Sequence, residues 1–164
     1  MLMEKTVHDF VAELASDSPA PGGGSASALA GCLGAALTAM VCNLSLDETK
    51  YKERLPEILA IRGRVSELLE NLGKAVDEDA QAFNEVMDAY KLPKGTDAEK
   101  ARRLKTIQDS MKNAASLPLE TAAACLDALK LAGRILPLGN PNAASDAAVA
   151  GLMSYAAIQG ALYN

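Results

Sequence analysis

Between Ser18 and Leu46 no side chain carries a charge, and Gly, Ala, Ser, Thr and Asn dominate over Leu and Ile. The stretch is long enough to cross a bilayer, but this content reads as a buried central helix of a bundle. Ser27, Gly31 and Ala35 recur at four-residue spacing, so a neighbouring helix can approach closely there. Ser25 is the expected N-cap. Apolar positions elsewhere also recur at helical spacing. A first short helix is predicted from Thr6 to Ser16, with Thr6 and Asp9 as a capping pair and Val7, Phe10, Val11 and Leu14 facing inward.

Leu46 to Lys52 is polar and turn-like, and a long helix follows from about Pro56 to Tyr90, weakened slightly by Gly63 and Gly73. Lys91-Leu92-Pro93-Lys94-Gly95 ends it, and Thr96-Asp97-Ala98-Glu99 is a capping box for the next helix. Pro118 is expected to kink or split that helix, which resumes to about Leu136. Pro137 to Pro141 forms a loop, and Asn142 caps a last helix reaching Asn164. No strand-like alternation of useful length occurs. The expected fold is all-α: a single domain over residues 1–164, an up-and-down bundle of about five long helices.

Composition narrows the function classes. The chain has 164 residues, 49% of them hydrophobic, enough for one substantial core. Net charge is −5, which excludes bulk attraction to nucleic acid or an anionic membrane surface. The first residues lack the apolar core of a signal peptide. Cys32, Cys42 and Cys125 sit in apolar helical patterns and read as reduced, buried thiols of a cytoplasmic protein. His8 is the only histidine, so neither a metal site nor a histidine-dependent triad is expected.

Two carboxylates break the pattern. In the long helix the apolar seam runs Leu72, Val76, Asp79, Phe83, Val86, Tyr90, which sets Asp79 at a core-facing position while Asp77, Glu78 and Glu85 fall off the seam. A carboxylate in a dry seam is costly unless paired or protonated. Asp79 is therefore either a general acid or base or a structural group that caps a helix or pairs with a lysine. In the last helix the expected inward stripe is Asp146, Val149, Met153, Ala156, Gly160 and Asn164. There an Asp in the first turn also complements the helix dipole without catalytic duty, and Asn140-Pro141-Asn142 reads equally as a turn.

Pro19-Ala20-Pro21-Gly22-Gly23-Gly24-Ser25 leads into the central helix. Its glycines admit unusual backbone conformations and close approach, and bare N–H groups at a helix start attract anions. The plainer reading is a tight turn. Lys91, Lys94, Lys100, Arg102, Arg103 and Lys105 cluster in an acidic chain and either hold an anionic tail or form a solvated face. Tyr51 either covers a pocket mouth or lies on ordinary surface.

Taken in order, the glycine-serine segment, Asp79-Ala80-Gln81-Ala82-Phe83, Leu92-Pro93-Lys94, Leu117-Pro118-Leu119, and Gly139-Asn140 with Ser145-Asp146 resemble the cyclodeaminase/cyclohydrolase family. That family comprises the cyclodeaminase part of formimidoyltransferase-cyclodeaminase and stand-alone relatives. The resemblance implies a homodimer or higher homo-oligomer and a tetrahydrofolate substrate with a polyglutamate tail. It implies cyclodeaminase or methenyltetrahydrofolate cyclohydrolase chemistry, with no metal or cofactor. It implies Asp79 as catalytic acid/base and Gly22, Gly23, Gly24, Ser25, Lys94, Asn140 and Asp146 as substrate-binding positions. Such proteins usually continue past the position of Asn164, so a final helix of the family is expected to be missing. The rival expectation is a non-catalytic helical assembly or folate-binding module on the same scaffold.

Overall fold

The computed structural model describes residues 1–164 and contains helices only. A 3-10 turn at Leu2–Glu4 precedes α1 (Val7–Leu14), α2 (Gly23–Asn43), α3 (Leu55–Lys91), α4 (Asp97–Ile135), a second 3-10 turn (Pro141–Ala143) and α5 (Ala144–Leu162). Four helices are long; α1 has only eight residues.

α2 is the axis of the bundle. A Cβ added at Gly31 would stand 2.4 Å from Cys125 Sγ of α4, 3.4 Å from Leu72 of α3 and 3.5 Å from Ala157 of α5. Three helices thus converge on one glycine. Against α5 the fit is closer still: a Cβ at Gly34 would meet Ser154 Oγ at 2.5 Å, and one at Gly160 would meet Ser27 Oγ at 2.3 Å. Backbones approach this closely only where side chains are small, which is why the uncharged segment is Gly/Ala/Ser rather than leucine. This helix alone is long and apolar enough to cross a membrane, and here it forms the core of the bundle.

The last helix buries Ala147, Ala150, Ser154, Ala157 and Ala161. The expected stripe was rotated from this one: Val149 is exposed and Asp146 is half-buried. The small residues won because α2 leaves no room for larger ones. α1 differs also. Thr6 caps it, accepting from the Asp9 N–H at 3.1 Å, but only Phe10 is buried, against Ala28 and Val76. Val7 and Val11 face solvent, since a two-turn helix presents only one side to the bundle. Tyr51 is not surface; it is buried in the main core. Asp77 is half-buried and accepts the Leu2 N–H, so it is not simply solvated.

α3 buries Ile58, Ile61, Val65, Leu68, Leu72 and Val76, then only Ala82 and Ala89. The seam shifts by one position past Asp79, leaving Phe83 and Tyr90 exposed. The reason is geometric: α2 begins at Gly23, beside Asp79, so the last dozen residues of α3 run past the end of the central helix. With the first half of α4 they form a two-helix arm about 18 Å long by helix rise. The Thr96/Glu99 capping box forms as expected. Pro118 lies inside an unbroken α4 and neither splits it nor ends it.

All three cysteines are buried and unpaired. Burial pushes the Cys32 thiol up and the Cys42 and Cys125 thiols up from 9.0 to about 11. The unfolded chain ionises these thiols first. Stability contributed by them is therefore full below about pH 9 and is lost as pH rises towards about 11. At pH 8 iodoacetamide is expected to label none of the three in the folded protein and all three in urea, read by mass. The urea midpoint is expected to fall above pH 9.

Candidate active site

Asp79 sits where the start of α2 meets the base of the arm. A Cβ at Gly24 would lie 2.0 Å from Asp79 Oδ1, 2.5 Å from its Cγ and 2.8 Å from Oδ2. The carboxylate therefore occupies the space a side chain at residue 24 would fill. No glycine in the chain has a positive φ, so Gly24 serves close approach rather than an unusual backbone conformation. The N-cap of α2 is Gly22, not Ser25. Ser25 lies in the first turn, fully buried, and its hydroxyl donates to Asp79 Oδ2 at 2.9 Å. The first N–H groups of a helix have no intrahelical acceptor and carry the positive end of its dipole. They complement the carboxylate electrostatically.

Asp79 is half-buried and borders a cavity of about 420 Å³. Gly22, Gly23 and Gly24 line it at one end with Pro19, Ala20 and Asn164. Phe83 and Val86 of α3 face Met111, Ala114, Ala115 and Pro118 of α4 across it. Such a volume and half-apolar wall suit a small molecule. The expectation of a dry core position for Asp79 is corrected: the residue leaves the apolar seam where the bundle opens. Phe83 and Val86, assigned to that seam, are cavity walls. They follow Asp79 by four and seven residues on the same helix face, a spacing already visible in the sequence. Met111, Ala114, Ala115 and Pro118 share one face of α4 by the same rule. Asn164 was named only as the end of a helical stripe.

The other sequence-predicted positions lie elsewhere. Lys94 is exposed in the turn at the tip of the arm and does not line the cavity. Around it, Lys91 pairs with Asp88 and Lys100 with Asp97. Arg103 lies over the Tyr90 ring at 5.6 Å, while Lys94, Arg102 and Lys105 take no ion-pair partner. Asn140, bonded to Ser45, is at the far end of α2, about 30 Å from Ser25 by helix rise, and Asp146 opens α5 beside the far half of α2. Asn140 shapes its turn: its side-chain oxygen accepts from the Asn142 N–H at 3.0 Å, and its own N–H donates to Ser45 Oγ at 2.8 Å. Its amide, not that of Asn142, provides the cap, and it caps the 3-10 turn. Asp146 stands in the first turn of α5. Within one chain these two residues cannot reach the Asp79 cavity.

An all-helical bundle with a hydrogen-bonded carboxylate bordering an end cavity defines a small-molecule-binding class of helical protein. The chain belongs to the Formiminotransferase-cyclodeaminase family, whose model matches residues 6–164. It is 40% identical over 164 residues to the methenyltetrahydrofolate cyclohydrolase of Methylorubrum extorquens, covering 100% of this chain and 79% of that protein. It is 34% identical to the formimidoyltransferase-cyclodeaminase of Gallus gallus, covering 99% of this chain and 30% of that longer protein. The fold matches formiminotetrahydrofolate cyclodeaminase from Thermotoga maritima with a TM-score of 0.85 at 27% identity, over 99% of this chain and 77% of that one.

Proposed function

We propose that this protein is a folate one-carbon enzyme acting on the bridge between N5 and N10 of tetrahydrofolate, with Asp79 as its acid/base. The observation that carries the reading is the Asp79 carboxylate, held by Ser25 at the edge of a half-apolar cavity. Phe83, Val86, Met111 and Pro118 bind the fused ring, and the glycines at the start of α2 leave room for its edge.

In the hydrolytic direction, water attacks the 5,10-methenyl carbon while Asp79 removes a proton from that water. The hydroxyl on that carbon then loses its proton to water, and the carbon–N5 bond breaks as N5 takes a proton from Asp79, leaving 10-formyltetrahydrofolate. In the deaminating direction, N10 attacks the formimidoyl carbon on N5. Asp79 accepts the N10 proton and returns one to the departing nitrogen, which leaves as ammonia. The 5,10-methenyl cation is the substrate of the first route and the product of the second, and the Asp79 carboxylate faces its charge. The overall similarity to the M. extorquens protein favours hydrolysis as the first route to assay.

A polyglutamate tail would run along the arm to Lys94, Arg102 and Lys105, whose charges are uncompensated. The chain assembles as a homodimer or larger, in keeping with the exposed Leu152 and Tyr155 on α5. It works in the cytoplasm, in keeping with three unpaired thiols.

The direct test follows the absorbance of the methenyl bridge. Purified protein is expected to speed its loss from 5,10-methenyltetrahydrofolate, or its appearance from 5-formimidoyltetrahydrofolate, well above the buffer rate. Binding of either compound without turnover would favour the non-catalytic module instead.

A further inference from the structure

We propose that Ser25 is a positioning residue for the reaction, anchoring one oxygen of Asp79 so that the other is presented to the substrate. The proposal rests on Asp79 as the acid/base, and it reassigns Ser25 from substrate binding.

The other hydroxyls on and just after α2 show what such groups do by default. Ser27 donates to Gly23 O at 2.7 Å, Thr38 to Gly34 O at 3.0 Å and Ser45 to Val41 O at 2.7 Å. Each bonds the carbonyl four residues back, the usual resort of Ser and Thr in a helix. Ser25 departs from this habit. Its hydroxyl crosses to α3 and donates to Asp79 Oδ2, 54 residues away in the chain.

Ser25 is fully buried and does not line the cavity. A hydroxyl has one proton to donate, and here the carboxylate takes it, leaving none for a ligand. Ser25 is thus placed to act through Asp79 rather than on substrate. The second oxygen, Oδ1, lies over Gly24 and takes no hydrogen bond from the protein. Oδ1 is then the atom that forms the new O–H bond as the O–H of attacking water, or the N–H of N10, breaks. Oδ2 stays on Ser25 throughout. Fixing a catalytic group in one orientation before the substrate arrives lowers the barrier without strengthening substrate binding.

The test compares Ser25→Ala with Ser27→Ala, which loses a hydroxyl bonded only within its own helix. Ser25→Ala is expected to lower kcat about 10- to 100-fold with KM within about twofold of wild type. Ser27→Ala is expected to keep wild-type kcat. Ser25→Cys, a weaker donor of similar size, is expected to fall between wild type and Ser25→Ala, and it serves if the alanine variant does not fold. A crystal structure of the variant is expected to show the Asp79 carboxylate turned from its place over Gly24. The proposal is overturned by a kcat within about twofold of wild type, by a loss confined to KM, or by a carboxylate that keeps its place. If the wild-type chain turns over neither folate, the reaction reading fails by itself. The position of the carboxylate in the variant crystal then decides the anchoring alone.

Discussion

Asp79→Asn is expected to lower kcat by about 1,000-fold while leaving the fold intact, because general acid–base catalysis by a placed side chain contributes roughly 10²–10⁴-fold. The amide has the shape of the carboxylate, and its oxygen still accepts from the Ser25 hydroxyl, so the first turn of α2 keeps its partner. What the amide lacks is a site for the proton and a charge to face the cationic bridge. Measurement of kcat from the methenyl absorbance, beside thermal unfolding by circular dichroism, checks both halves. Wild-type turnover by the Asn variant would remove Asp79 from the mechanism, whatever the family.

Gly24→Ala is expected to cost about 100-fold in kcat/KM, with stability little changed because the helical gain of alanine offsets the lost Ser25–Asp79 bond. A Cβ there would fall 2.0 Å from Asp79 Oδ1 and within 3 Å of every atom of the carboxyl group, so the carboxylate must swing away. Displacement by about 1 Å is enough for a loss of this order. Alanine in a helix is meanwhile worth up to about 1 kcal/mol over glycine. Lost activity in a protein no less stable is the signature of a displaced functional group rather than a broken fold. The neighbouring glycines serve as controls. A Cβ at Gly22 meets nothing within 4 Å, and one at Gly23 meets only the end of the Asn164 side chain at 3.2 Å. Neither displaces the Asp79 carboxylate, so both alanine variants are expected to keep kcat within about twofold of wild type, any loss falling on KM through room taken from the substrate. An equal fall of kcat in all three would mean that the segment acts through flexibility and not through the space at residue 24.

Much of the bundle was legible because helix signals are local. The Thr96/Glu99 capping box, Thr6 and the polar breaks near Leu46 and Lys91 mark helix ends through bonds spanning a few residues. The charge-free segment announced its burial because so many backbone groups can avoid water only inside a helix among other helices. Faces were read less well. Val7, Val11 and Phe83 look inward by periodicity and are exposed, since which side of a helix is covered depends on where its neighbours stop. The rotation of α5 by one position follows from the small-residue surface of α2, a property of the pair and not of either segment.

The candidate site divides in the same way. Asp79 stood out as a carboxylate at an apolar register, and the glycines stood out as a run. Nothing local said that they touch. Ser25 read as a cap until its hydroxyl was found on α3. Met111 and Pro118 joined the cavity only because α4 returns antiparallel beside α3. Lys94, Asn140 and Asp146 were grouped with Asp79 by motif order, yet the chain sets them at the tip of the arm and at the opposite end of α2.

By itself the sequence determined that the chain is helical, at which polar breaks its helices are separated, and that two carboxylates, Asp79 and Asp146, interrupt its apolar stripes. Each of these depends on residues within a turn or two of one another. Only the tertiary structure decided that α2 stops beside Asp79 and that the arm runs on alone, opening a cavity in front of the carboxylate. That outcome is set by the relative lengths and offsets of packed helices, which no short-range periodicity records.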